Sequence, residues 1–232
     1  MNSGLSPIAN WFQEFGADAI AVVFNIMLLA WYYAVHRARV RRDPAYSIHF
    51  VNELSRRIWV EHVMGKDGTD VMAVQTLRNF IMYPILMIST TTLLIIGTLT
   101  LSGQTENISR TWHVLNFAGS HSAALWITKV ISLLADFLVA FFAYAMAIRL
   151  ANHVLFMVNV PKEFQLAHEE VLAPELVAKR LNMAGKLLAI GLRALFFAIP
   201  LVFWLFGPIF LVLATIGVLG VLARMDRYRS GI

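Results

Sequence analysis

The chain contains no cysteine. Without a thiol it forms no disulfide, no thiolate metal site and no cysteine nucleophile. Charged residues are also scarce: they make up 14% of the 232 residues, whereas soluble domains carry about 25%. Apolar residues reach 59%, and the mean hydropathy is +0.67. This composition excludes an ordinary soluble domain and indicates a polytopic membrane protein.

Lysine and arginine are absent from the first 15 residues. A cleavable signal peptide begins with a basic segment, so we expect the first apolar segment to be retained. The net charge of +5 comes from basic residues that flank apolar segments, where they set the orientation of the chain in the membrane. We therefore expect the lipid bilayer as a partner and no nucleic acid.

Several apolar segments are long enough to cross a bilayer. Residues 80–101 carry no charge over 22 positions, and at about 1.5 Å per residue they cover a hydrocarbon core of roughly 30 Å. We predict an all-α polytopic membrane protein, a single membrane domain with about five transmembrane helices plus interfacial amphipathic helices. The predicted spans cover about 15–35, 80–101, 123–148, 187–206 and 208–223.

The last apolar block, residues 187–223, is too long for one crossing. Gly207-Pro208 divides it into about 20 and 15 residues, which gives two spans, a re-entrant pair or one kinked helix. With five crossings, sixteen basic residues lie on one side of the membrane and only Arg110 lies on the other. We therefore choose five spans, with the N-terminus outside and the C-terminus inside.

Residues 44–64 have the pattern of a cytoplasmic helix that lies along a membrane surface. Ile48, Val51, Leu54 and Ile58 fall on one face of this helix, and its charged residues lie elsewhere. Basic amphipathic helices with this arrangement bind at the boundary between head groups and acyl chains.

Lys129 and Asp136 are the ionisable residues deepest in the predicted spans, and Arg193 lies in the fourth span. Charges inside a membrane are costly and by default mark a functional site. The spacing of seven puts Lys129 and Asp136 on one helix face about 10 Å apart, so each needs another partner. Arg193 is our candidate partner for Asp136. This candidate intramembrane polar site is either an ion or proton relay or an interhelical ion pair that fixes packing, with Lys129 reaching outward.

Gln75, Arg78 and Asn79 stand just before the second span, at the predicted inner interface. Side chains of this type at the cytoplasmic face bind anionic lipid head groups. The alternative is that they bond helix ends and loop carbonyls within the fold. They form our candidate lipid head-group or packing site, with anionic lipids as the expected partners.

The sequence contains no catalytic motif of the GxGxxG, P-loop, HExxH or GxSxG type. His113 and His121 share one predicted loop, but a metal site needs three or four ligands and only Glu106 offers a third. We therefore predict no enzymatic activity, no metal and no cofactor.

Four stretches together resemble a known membrane family. They are HFVNELSRRIWVEHVM, AVQTLRNFIM with the Ser/Thr-rich apolar run after it, FWLFGPIF and ARMDR. Over roughly residues 36–228 the chain is similar to the family catalogued as domain of unknown function 599, found in bacteria and plants. The resemblance implies a membrane fold and assigns no activity and no site residues. With it we expect an integral protein of the bacterial inner (plasma) membrane.

Two functions fit these patterns. The first is a non-catalytic integral membrane protein that acts through helix-helix contacts, as a homo-oligomer or as an accessory subunit of a larger membrane complex. Scarce intramembrane polar groups and aromatic-rich spans favour it. The alternative is a small ion or solute channel or transporter that uses Lys129, Asp136 and Arg193. A lipid-modifying enzyme comes third, because no cluster of histidines and carboxylates marks one interface.

Overall fold

The computed structural model describes residues 7–43, 46–103 and 123–227. These residues form eight α-helices and no strand. The helices are α1 (Pro7–Arg42), α2 (Ile48–Gly65), α3 (Asp70–Gly103), α4 (Ala123–Met157), α5 (Lys162–Ala167), α6 (Glu169–Leu172), α7 (Pro174–Trp204) and α8 (Pro208–Met225). Five of them, α1, α3, α4, α7 and α8, are long and apolar enough to cross a membrane. The predicted all-α class with about five such helices is confirmed.

Helix α3 continues without a break through Pro84. The hydroxyls that follow the proline donate to carbonyls one turn back: Thr91 Oγ1 lies 2.7 Å from the Met87 carbonyl oxygen, and Thr92 Oγ1 lies 2.8 Å from that of Ile88. Such back-bonds satisfy the hydroxyls inside an apolar environment, so this Ser/Thr-rich run stays helical without partners on other helices.

The structure contains two compact units, and the first combines residues from Met1–Pro44, Leu94–Leu138 and Ala194–Arg227. Within it Ala21 of α1 packs in one cluster with Leu211 of α8, and Tyr32 packs in another with Leu222. From the first cluster to the second, the residue numbers increase along both helices, so α1 and α8 run parallel. The Tyr32 hydroxyl also donates to Asp226 Oδ2 at 2.9 Å, just past the end of α8.

Helices α7 and α8 form an antiparallel hairpin in this first unit. Trp204, at the end of α7, shares a cluster with Leu211, near the start of α8, whereas Phe196 packs against a cluster that contains Val218, Leu219 and Leu222. Gly207 makes the turn with φ at 141°, a backbone conformation that favours glycine, and Pro208 opens α8 at its first position. Residues 187–223 are therefore divided between two antiparallel helices and do not form one kinked helix.

Helix α4 also runs antiparallel to α7 in the first unit. Lys129, near the start of α4, lies against the ring of Trp204, and Phe137 lies further along in a cluster with Ala198 and Leu195. Since α7 is antiparallel to α8 and α8 is parallel to α1, α4 runs parallel to α1.

The second unit combines residues from Ala45–Leu93, Val139–Arg193 and Tyr228–Ile232. Helix α2 begins at its N-cap Ser47, whose hydroxyl accepts from the His49 backbone N–H at 3.3 Å. Its buried face packs on α3, α4 and α7. This core contains Val60, Val63, Met64, Ala73, Leu77, Val154, Val158, Val177, Ala178 and Leu181. Leu54 and Ile58, from the predicted apolar face of α2, are exposed on the opposite side.

Candidate functional site

A buried ion pair joins α1 and α4 in the first unit. Lys129 Nζ lies 3.1 Å from Asp18 Oδ1, and the two side chains are only 3% and 2% exposed. Trp204 Nε1 donates to the same carboxylate oxygen at 2.8 Å, and the Lys129 ammonium lies 5.4 Å from the centre of the Trp204 ring. A lysine in an apolar helix is tolerated here because a carboxylate neutralises it and an aromatic face covers it.

Helix direction brings these three residues together. Asp18 lies near the start of the candidate span in α1, Lys129 near the start of α4, and Trp204 at the end of α7. Lys129 therefore points into the unit instead of reaching outward. Sequence reasoning singled out Lys129 but missed Asp18. The signal was present, because Asp18 is an acidic residue inside the predicted span 15–35.

Asp136 lies two turns beyond Lys129 on α4 and has different surroundings. Its Oδ2 atom is buried and has no hydrogen-bond partner in the part of the chain that the structure describes. The Oδ1 atom of Asn25 on α1 is in the same situation. Asp136 also forms no ion pair with a described residue.

Arg193 contacts a histidine in the second unit. Its Nη2 atom lies 2.7 Å from Nε2 of His49, in the first turn of α2. A guanidinium can only donate, so Nε2 of His49 is the acceptor in this contact. This contact joins the membrane-spanning α7 to the start of α2.

A second polar contact fastens α2 along α7. Arg56 Nε donates to Asn182 Oδ1 at 2.7 Å, Asn182 Nδ2 donates to the Glu53 carbonyl at 3.2 Å, and Lys186 Nζ lies 3.2 Å from Glu53 Oε2. Burial lowers the pKa of Arg56 from its ordinary value, and the Glu53 carboxylate partly offsets this effect. Gly185 leaves room for the guanidinium, because a Cβ atom there would lie 2.7 Å from Arg56 Cζ.

Gln75, Arg78 and Asn79 lie on the outward side of α3. All three are exposed, whereas Ala73 and Leu77 on the other side of the helix are buried in the core of the second unit. None of the three side chains makes a hydrogen bond or ion pair to another described residue. Their polar atoms are therefore accessible to a lipid head group or to another protein.

The described ranges contain no group of three or more histidine, cysteine, aspartate or glutamate residues that would hold a metal ion. His113, His121 and Glu106, the residues considered for a metal in the sequence, lie outside the described residues.

Residues 20–230 match a family model described as "Protein of unknown function, DUF599". The chain belongs to this family. The resemblance seen in the sequence is confirmed, and the match includes Lys129, Asp136 and Arg193, the residues of the candidate polar site. No curated protein and no solved structure matches the chain. This DUF599 protein is thus a multi-pass, all-helical membrane protein from a family whose description assigns no activity.

Proposed function

We propose that this DUF599 protein is a non-catalytic membrane protein that acts through contacts between its helices and those of other subunits. It works as a homo-oligomer or as an accessory subunit of a larger membrane complex. The observation that carries the proposal is a division of roles: Lys129 and Arg193 have partners inside the units, while outward helix faces offer small residues and an apolar groove.

The charged residues support a packing role. Lys129 is neutralised by Asp18, and Arg193 binds His49. These contacts hold together α1, α4 and α7 in the first unit and α2 and α7 in the second. A buried ion pair is a means of fixing which helices pack together, because breaking one side of it leaves an uncompensated charge.

The outward face of α3 supports contacts with another helix. A Cβ atom at Gly97 would have no other atom within 4 Å, and Ser89 and Thr100 are exposed on the same helix. Without a hydrophobic driving force between helices in lipid, association relies on close packing and hydrogen bonds. Small and hydroxyl residues at membrane depth allow a second backbone to approach closely.

A groove of about 440 Å³ between α7 and α8 adds to this surface in the first unit. Phe196, Phe203 and Phe210 line it together with Gly217, whose missing side chain leaves open space. The groove has apolar walls, so it suits the side chains of a neighbouring helix and offers nothing to a polar substrate.

The absence of native cysteine provides a direct test. Single cysteines introduced by Gly97→Cys and Gly217→Cys are unique in the chain and can be crosslinked in native membranes. We expect adducts at these positions and none with Ala135→Cys, a matched small residue exposed on α4. The mass of each adduct distinguishes a second copy from another subunit. A lone monomer in nanodiscs, without crosslinks at either position, would contradict the proposal.

The alternative of a small channel or transporter has one observation in its favour, the buried Asp136 oxygen without a donor. The other two residues of the candidate polar site do not add to it, because Lys129 and Arg193 already have partners. Flux through proteoliposomes that changes with Asp136→Asn while the fold survives would favour the alternative. Flux that is absent or unaffected would count against it.

A further inference from the structure

Asn25 on α1 and Asp136 on α4 lie about two helical turns beyond the Asp18–Lys129 pair in the first unit. Each lies seven residues after a member of that pair on the same helix. Seven residues of α-helix advance about 10 Å and return to nearly the same face. Since α1 and α4 run parallel, both steps go in the same direction. Asn25 and Asp136 therefore lie at the same level and on the faces that meet at the ion pair.

Thr215 of α8 belongs to this level as well. Ala21 shares a cluster with Leu211, and Tyr32 shares another with Val218, Leu219 and Leu222, so the two helices lie side by side at an offset of about 186–190 residues. The same offset from Asn25 leads to residues 211–215, among which Thr215 is the polar one; it is 1% exposed. Its hydroxyl donates to the Leu211 carbonyl at 2.8 Å, so its oxygen lone pairs remain as acceptors.

At the level of Asn25, Asp136 and Thr215, some buried oxygen atoms have no hydrogen-bond donor. Asp136 Oδ2 and Asn25 Oδ1 are both buried, and no described residue donates to either. In the described part of the first unit, Asp136 is the one ionisable side chain between the Asp18–Lys129 pair and the Tyr32–Asp226 bond. In the described residues of the first unit no basic side chain lies at this level to neutralise an ionised Asp136. A buried carboxylate without a counter-charge is strongly unfavourable.

We propose that Asp136, Asn25 and Thr215 form a binding site for one monovalent cation, either a proton or an alkali ion of the size of sodium. Carboxylate, amide and hydroxyl oxygens are the ligands of hard cations. The single carboxylate supplies one negative charge, which matches one positive charge and would leave a divalent ion uncompensated. This site is independent of the contact function proposed above.

Carbodiimide labelling of the full-length protein tests the site. The probe is N,N′-dicyclohexylcarbodiimide, applied to the protein in vesicles of phosphatidylethanolamine and phosphatidylglycerol. This reagent enters bilayers, adds to protonated carboxyl groups and leaves a stable N-acylurea that peptide mass spectrometry locates. Ionised or alkali-bound carboxylates do not react. We expect labelling of Asp136 and none of Asp18, which is paired with Lys129.

Two arms distinguish the cations. Labelling of Asp136 that is lost in sodium chloride but retained in choline chloride at the same pH identifies an alkali ion. Labelling that is indifferent to sodium but lost as the pH rises identifies a proton. Absence of labelling at every pH in choline chloride, or labelling that neither pH nor sodium changes, overturns the proposal.

Variants test the two neutral ligands. Asn25→Leu and Thr215→Val each remove an oxygen and should shift the pH or sodium dependence of labelling. Thr100→Val is the matched control, because the Thr100 hydroxyl is exposed and donates to the Ile96 carbonyl at 2.9 Å. If the labelling of Asp136 in both test variants has the same pH and sodium dependence as in Thr100→Val, Asn25 and Thr215 are not ligands and the proposed site is wrong. Where a variant does not fold, the wild-type arms decide.

Discussion

Removing one member of the Asp18–Lys129 pair will destabilise the protein far more than removing both charges. Lys129→Met leaves a buried carboxylate without its counter-charge, although the Trp204 N–H still donates to it at 2.8 Å. Asp18→Asn leaves a buried ammonium that is 3% exposed. Breaking a buried ion pair from one side costs about 3–5 kcal/mol, because the remaining charge is uncompensated. In a protein of this length, about 3 kcal/mol corresponds to roughly 6–12 °C in Tm.

The combined variant, Asp18→Asn with Lys129→Met, removes both charges and keeps an acceptor for Trp204 Nε1. We expect it to lose about 1 kcal/mol or less, since replacing a buried pair by neutral groups is often close to neutral. Its loss should fall at least about 2 kcal/mol below the sum of the two single losses.

Unfolding in detergent micelles, followed by tryptophan fluorescence, measures these stabilities. Trp204 is itself a reporter, because it touches both charged residues. Lys179→Met is the control, since Lys179 is an exposed lysine on α7 whose removal should leave the stability unchanged within about 0.5 kcal/mol. Losses that simply add in the combined variant would refute the structural reasoning, because they would mean that the two side chains do not interact.

Two further predictions use the same unfolding assay. Gly191→Ala places a Cβ atom 2.7 Å from Cε1 of the buried Tyr144 ring, so it should lower the free energy of unfolding by about 1–3 kcal/mol. In the control, Gly220→Ala, the new Cβ atom meets open space, so the stability should be unchanged or slightly higher. Equal stabilities of the two variants would contradict the close packing of Tyr144 on Gly191. Asn182→Ala removes the acceptor of Arg56 and a donor to the backbone of α2. It should lower the free energy of unfolding by about 1–3 kcal/mol and speed amide hydrogen exchange in α2. Unchanged exchange in α2 would count against the contact between Asn182 and this helix.

The membrane helices were predictable because length and apolarity are properties of the sequence itself. Residues 187–223 show the limit of prediction from length and apolarity. Gly207-Pro208 marks the break, and the distribution of basic residues favours two spans over one kinked helix, but the residues that pack between the two helices depend on tertiary structure. In the structure Phe196 packs against the cluster of Val218, Leu219 and Leu222, and Trp204 shares a cluster with Leu211, so the two helices are antiparallel. No local pattern in the sequence specifies these long-range pairs.

The candidate polar site was predictable only in part. Lys129 and Asp136 stood out because a charge in an apolar run is conspicuous. Their partners did not, since a partner depends on which helices pack together. Trp204 counts as an apolar aromatic in the sequence, yet its indole N–H binds Asp18. That role required the end of α7 and the starts of α1 and α4 to meet.

Helix α2 shows a related limit. Periodicity indicated that its faces differ, and it placed Leu54 and Ile58 on the apolar face. It did not indicate which face packs on the protein. In the structure Arg56 contacts Asn182, because Gly185 leaves room for the guanidinium, while Leu54 and Ile58 stay exposed. The position of the Arg56 side chain therefore depends on Gly185, a glycine on α7.

The parallel packing of α1 on α8 has a consequence for biogenesis. The ribosome makes α1 before the other described helices and α8 after them, so the first unit cannot close until residues 208–225 have emerged. Until α4 has been made, the newborn α1 carries an acidic side chain, Asp18, whose basic counterpart Lys129 is not yet present. Releasing α1 into lipid before α4 arrives therefore leaves Asp18 without its counter-charge, which is costly inside a bilayer.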